Sequence, residues 1–144
     1  MAELSLADAN TLFQKCQGDP VYFAETILGV KLWEKQRQVL YSIRDNPNTI
    51  VVSCNSAGKS FISAVAVLWF LYTHKSSLVA TTAPTFRQIK SVLWAEITRL
   101  WNQSKVPLGG EMMTTDLIVD VKIKWFAMGI PSSFRGGFNL LTEA

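Results

Sequence analysis

The chain has two cysteines, one histidine and no apolar run long enough to cross a membrane. Cys16 falls on an expected helix and Cys54 in a small-residue loop, with no metal-type spacing between them, so both are read as reduced thiols. The lone histidine, His74, follows an apolar run, where it complements a helix dipole better than it would ligate a metal. The longest apolar run, Phe61 to Tyr72, falls short of the roughly 20 residues that a span needs. Met1 to Leu6 carry no basic stretch followed by an apolar core, so no export signal is read there and a cytosolic location is expected. Charge is scarce as well: 17% of the residues are charged and the formal net charge is +3. That balance is compatible with contact to a polyanion but too small to argue for one.

What the chain does have is apolar bulk. Its 144 residues are 49% hydrophobic, with five tryptophans and eight phenylalanines, a globular composition able to bury a core. The length suits one domain and is short for a complete nucleotide-hydrolysing motor domain.

The stretch on which the rest is organised is Val52-Ser53-Cys54-Asn55-Ser56-Ala57-Gly58-Lys59-Ser60. It fits the phosphate-loop pattern G-x-x-x-x-G-K-[ST] at Gly58, Lys59 and Ser60, with Ser53 at the first glycine position. Gly58 lets the backbone approach phosphates, Lys59 supplies a point charge, and the Ser60 hydroxyl can reach Mg²⁺. Asn55, Ser56 and Ala57 complete the expected phosphate cradle. The context such a loop needs is a strand before it and a helix after it. Thr49 to Ser53 is a β-rich run, and Lys59 to Thr73 is helical by length and composition. A phosphate would then meet unpaired N–H groups at the positive end of a helix dipole.

Around this loop the pattern predicts an α/β fold in which strand and helix alternate. Residues 5 to 16 fit an amphipathic helix capped by Ser5, with Leu6, Ala9, Leu12, Phe13 and Cys16 on one side. Asp19 and Pro20 open a second helix that Gly29 ends. A third, from Trp33 to about Arg44, carries Gln36 on its apolar stripe between Trp33 and Leu40. That amide either bonds the edge of an adenine, for which it has both donor and acceptor, or bonds backbone at the helix end. Ser77 to Thr82 is a strand, and Phe86 to about Trp101 a helix burying Phe86, Ile89, Leu93, Ile97 and Leu100. Arg87, Lys90 and Trp94 share a neighbouring face, which is either a nucleic-acid contact or a solvated face with the tryptophan packed beneath it. Residues 117 to 128 alternate at period two, with a turn near Asp120 between antiparallel strands. Gly129 to Phe138 is expected to be a loop.

Four segments together resemble the N-terminal ATPase region of the large terminase subunit, the motor that packages DNA into tailed-phage heads. They are Trp33 to Gln38, the phosphate loop, Thr81-Thr82-Ala83-Pro84-Thr85-Phe86-Arg87-Gln88, and Phe134-Arg135-Gly136. The resemblance spans about Asp19 to Phe138. It implies a P-loop NTPase core of the RecA-like (ASCE) type with a mostly parallel sheet, residues 47–144, incomplete at its C-terminus and preceded by a helical segment, residues 1–46. It implies ATP and Mg²⁺ as cofactors, with Gln36 on the adenine side and Lys59 and Ser60 on phosphate and metal. Double-stranded DNA, a portal protein and a small terminase subunit would be partners, in a homo-oligomeric ring when full length, within the cytoplasm of a bacterial host. Arg135 matches the arginine of the turn that leads into the Walker B strand, and Arg87 lies in a motif shared with helicase-like motors.

The departure from the family is at the end. Such motors follow an apolar run with Asp-Glu, for Mg²⁺ and for the attacking water. Here Leu140-Leu141-Thr142-Glu143 places Thr142 where the aspartate belongs and Glu143 at the catalytic glutamate, and the family's nuclease domain is absent. The expectation is a fragment that holds ATP with weak or no hydrolysis. The alternatives are a helicase-like ATPase stimulated by nucleic acid, or a non-catalytic remnant binding DNA or a partner through Arg87, Lys90 and Trp94.

Overall fold

A computed structural model describes residues 5–53 and 58–132. The first two helices form where the sequence places their caps. The Ser5 hydroxyl accepts the Asp8 N–H and starts α1, Leu6–Gly18. The Asp19 carboxylate accepts the Val21 and Tyr22 N–H groups at 3.0 and 3.1 Å and starts α2, Pro20–Phe23, which runs on as a π-helical stretch over Ala24–Leu28. Gly29, left-handed at φ 73°, ends it. The apolar side expected of α1 is largely uncovered: Cys16 is buried, whereas Leu6 and Phe13 are exposed. Helix α3, Glu34–Asp45, follows, with Trp33 as its cap residue.

Helix α4, Lys59–Thr73, is the core helix that its composition predicts. Ile62, Ala64, Val65, Leu68, Trp69 and Leu71 are all buried, and the helix packs on α1, α3 and the sheet. His74 caps its C-terminal end, its ring stacked on Phe70 at 4.1 Å.

The sheet has four strands in the order β1-β4-β3-β2: β1 Leu78–Ala83, β2 Glu111–Met112, β3 Asp116–Asp120 and β4 Trp125–Pro131. Only the β1–β4 pair is parallel; β4–β3 and β3–β2 are antiparallel. The expectation of a mostly parallel sheet is therefore corrected to a mixed one, because residues 111–131 form a meander that adds to β1. The turn near Asp120 is where the sequence puts it, with the Asp120 carboxylate accepting the Lys122 N–H at 2.9 Å.

Two further expectations change. Thr49 to Ser53 pairs with no strand among the described residues, and Ile50 and Val52 are 89% and 91% exposed. A β-rich run becomes a strand only where a neighbour can take its backbone groups, and the described sheet has no strand beside it. The loop expected from Gly129 begins later, since Gly129, Ile130 and Pro131 continue β4 opposite Thr81, Thr82 and Ala83. Glycine is required at 129 by close packing. A Cβ there would lie 2.5 Å from Ile89 Cγ2 and 2.5 Å from Trp94 Nε1.

The helix after β1 is α5, Phe86–Gln88, then a π-helical stretch Ile89–Trp94, then α6, Ala95–Gln103. A π-helical turn holds an extra residue and so rotates the buried face. Ile89, Ile97 and Leu100 are buried as the 3.6-residue spacing predicts, but Trp94 is fully buried where Leu93 is only half-buried against the core, and Phe86 stays exposed. The Trp94 indole N–H donates to Thr81 Oγ1 at 2.9 Å, and the Thr81 hydroxyl donates to the Met128 carbonyl at 3.0 Å. Helix and sheet are thereby tied by a satisfied polar chain through an apolar core. Among the described residues no helix is long and apolar enough to cross a membrane.

Candidate nucleotide site

The site is built at the start of α4. Gly58 takes the left-handed conformation, φ 76° and ψ 25°, and serves as N-cap. The first intrahelical bond is from the Ile62 N–H to the Gly58 carbonyl at 3.0 Å, and no side chain among the described residues caps the N–H groups before it. A 15-residue helix whose first turn no described side chain caps is suited to an anion, through its N–H donors and its dipole. Lys59 Nζ donates to the Ser53 carbonyl at 3.0 Å, which folds the ammonium back along the loop. An ammonium has three protons, so this bond leaves two for a phosphate. Ser60, one residue on, is half-buried.

Gln36 reaches this helix from the side. It is 9% exposed, and its Oε1 accepts the Trp33 N–H at 3.2 Å. A backbone N–H can only donate, so the carbonyl end of the amide faces Trp33 and the Nε2 end faces away. That end lies against the loop: a Cβ on Gly58 would sit 2.9 Å from Gln36 Nε2. Of the two readings of Gln36, the bond to backbone at the helix end is the one observed. Its oxygen serves the helix end, and its amide protons are what it has left to offer a ligand or the loop, so a bidentate adenine contact would require releasing the cap.

A cavity of about 370 Å³ lies between α3 and residues 49–53, lined among others by Trp33, Gln36, Val39, Ile50, Lys59 and Ile62. Its lining is largely apolar with an indole at the mouth, a surface on which a flat heterocycle can stack. A second cavity, about 290 Å³, lies on the other side of Lys59, where Ser60, Ser63 and Gln88 meet Ala83 and Pro84 at the end of β1. Lys59 lines both.

Of the residues singled out from the sequence, Gln36, Gly58, Lys59 and Ser60 are brought together. Asn55, Ser56, Ala57, Arg135 and Glu143 lie outside the described residues. Arg87 and Lys90 are exposed on the α5 side, but Trp94 is fully buried and belongs to no basic-aromatic surface. Gln88 was not among the sequence candidates. The signal for it is the capping-box spacing Thr85-x-x-Gln88 directly after a strand. Among the described residues no group of three or more histidine, cysteine, aspartate or glutamate side chains comes together. Phosphate oxygens of a bound nucleotide would supply ligands to a metal.

No protein-family model, curated protein or solved structure matches the chain. What is established is the class: an α/β fold with a four-stranded mixed sheet and helices.

Proposed function

We propose that the chain binds ATP with Mg²⁺ at the N-terminus of α4, as the nucleotide-holding part of a DNA-packaging motor of the large-terminase type. The observation that supports this best is the left-handed Gly58 opening a long helix that no described side chain caps, with Lys59 and Ser60 in its first turn and Gln36 packed against it. The base would lie in the cavity beside Trp33 and Gln36, and the phosphates would run along the first turn of α4 under the Lys59 ammonium. Ser60 would hold the metal through its hydroxyl. The metal supplies charge neutralisation between phosphate oxygens, and this chain's own groups bind and orient the nucleotide. On this reading double-stranded DNA, a portal protein and a small subunit are the partners, with Arg87 and Lys90 on the DNA side.

Titration with a fluorescent ATP analogue tests the reading. Saturable binding that Lys59→Ala lowers by at least about tenfold, with negligible turnover, is expected, because a charged hydrogen bond contributes about 1.5–3 kcal/mol. Binding indifferent to Lys59 refutes it, and robust turnover by this chain refutes the picture of a holder with weak hydrolysis. A second reading, a non-catalytic module that docks on DNA, draws on Arg87 and Lys90, which form no ion pair among the described residues. Salt-dependent DNA binding unchanged by Lys59→Ala, in a chain that takes no nucleotide, would favour it.

A further inference from the structure

Two glutamines stand at the third position of a helix N-terminus, one on each side of the phosphate loop helix, and both are pinned in the same way. Gln36 accepts the Trp33 N–H; Gln88 accepts the Thr85 N–H at 3.2 Å and the Thr85 hydroxyl at 3.2 Å. Thr85 Oγ1 in turn accepts the Gln88 N–H at 3.3 Å. The carbonyl end of the Gln88 amide is thus fixed on Thr85 by a donor that cannot reverse its role. The Nε2 end has no partner among the described residues, and the side chain lines the cavity that also holds Lys59 and Ser60.

That cavity is the counterpart of the one beside Trp33. Lys59 is common to both, so a nucleotide with its base on the Gln36 side extends its phosphates across α4 toward Gln88. The lining on the Gln88 side is Lys59, Ser60, Ser63 and Gln88 with Ala83, Pro84, Val92 and Leu93, and among the described residues no carboxylate stands there against an anion. The Ser60 and Ser63 hydroxyls and the Gln88 amide bring donors to this lining, and Lys59 borders it.

We propose that Gln88 reads the terminal phosphate: its Nε2 donates to a γ-phosphate oxygen in the cavity shared with Lys59 and Ser60, so that the site distinguishes a nucleoside triphosphate from a diphosphate. The inference rests on the nucleotide reading above and adds a specificity-determining residue to it. Thr85 makes the device rigid, since the amide is held at its other end and loses little freedom on binding. Gln88 also stands in the first turn of the helix that runs through the π-helical stretch to Trp94, and Trp94 is bonded to the sheet at Thr81. A ligand that engages Gln88 therefore bears on the helix carrying Arg87 and Lys90.

The test is Gln88→Glu in the full chain. Glutamate serves as well as glutamine at this capping position, so the helix start is retained, while the amide donor becomes a carboxylate facing phosphate. Affinities for ADP and for the non-hydrolysable β,γ-imido analogue of ATP are measured by calorimetry with Mg²⁺, beside Lys59→Ala and thermal melting. The expected result is a loss of about tenfold or more for the triphosphate analogue, with ADP affinity within about twofold and the melting temperature unchanged. Gln88→Ala should show the same selective loss with a lower melting temperature. Nucleotide binding that depends on Lys59 but falls equally for both nucleotides in Gln88→Glu, or does not fall, overturns the role of Gln88 and leaves the nucleotide site standing. Absence of nucleotide binding by the unaltered chain overturns both.

Discussion

Gly58→Ala is the substitution that questions the centre of the site. At φ 76° an L-residue crowds its Cβ against its own backbone, a strain of about 1–2 kcal/mol. The added methyl also meets Gln36 Nε2 at 2.9 Å, closer than a carbon and an amide nitrogen settle. The amide has to give way, and because its other end holds the Trp33 N–H at 3.2 Å, moving it weakens a bond worth about 0.5–1.5 kcal/mol. The total is about 1.5–3.5 kcal/mol. Removing the obstacle separates the parts: in a Gln36→Ala background the methyl has room, and Gly58→Ala should cost only the backbone strain. Urea unfolding followed by circular dichroism on the parent, the two single variants and the double variant gives the coupling, expected at about 1 kcal/mol. Costs that add to within about 0.3 kcal/mol would mean that Gln36 does not abut the loop, and the geometry assigned to the site would be wrong.

Two other predictions follow from burial. Ile50→Thr should change stability by no more than about 0.5 kcal/mol in the same urea assay, since Ile50 is 89% exposed; a loss above about 2 kcal/mol would show that residues 49–53 are a strand buried in a sheet. Burial pushes the Tyr72 phenol up to about 12 from 10.0, while the indole N–H of Trp101 works the other way. The raised value favours the protonated form in the folded state, so the contribution is complete below about pH 10 and is lost as pH climbs toward 12. The stability difference between the parent and Tyr72→Phe, measured by urea unfolding from pH 9 to 11.5, should therefore shrink with rising pH. Curves that stay parallel would refute a protonated, buried Tyr72.

What could be read from the sequence is what is settled within a few residues of chain. Ser5 with Asp8, Asp19 with Pro20, and Gly29 set helix ends by local hydrogen bonds and backbone conformation, and all three stand as read. The burial of α4 follows from its uniform apolarity, and Gln36 announced itself as a polar residue on an otherwise apolar stripe. What could not be read depends on residues far apart in sequence. The shift from Leu93 to Trp94 needs the hydroxyl of Thr81 waiting across the core, and Gly129 with Pro131 looks like a turn until Ile89 and Trp94 are packed where a side chain would be. The direction of the Gln36 amide is likewise invisible in the sequence, because glutamine offers a donor and an acceptor and only the Trp33 N–H decides which end is committed.

The run Thr49 to Ser53 shows the same division and bears on function. Its β-branched residues favour extended backbone, and the Ser53 carbonyl accepts from the Lys59 ammonium, yet the run joins no strand among the described residues. Pairing in a sheet is not a property of one segment; it needs a neighbour at about 4.8 Å with its own backbone groups free. Without that neighbour the run still performs one task that the site requires. By accepting one of the three protons of Lys59, Ser53 holds the ammonium against residues 49–53, beside the cavity that Trp33 and Gln36 line. A lysine tethered in this way loses less rotamer freedom when an anion arrives than one that is loose in solvent, which amounts to a fraction of the roughly 2 kcal/mol such a side chain can lose. On the proposed reading, Lys59 is therefore partly ordered before a phosphate would reach it, by a segment that sequence pattern alone assigns to the sheet.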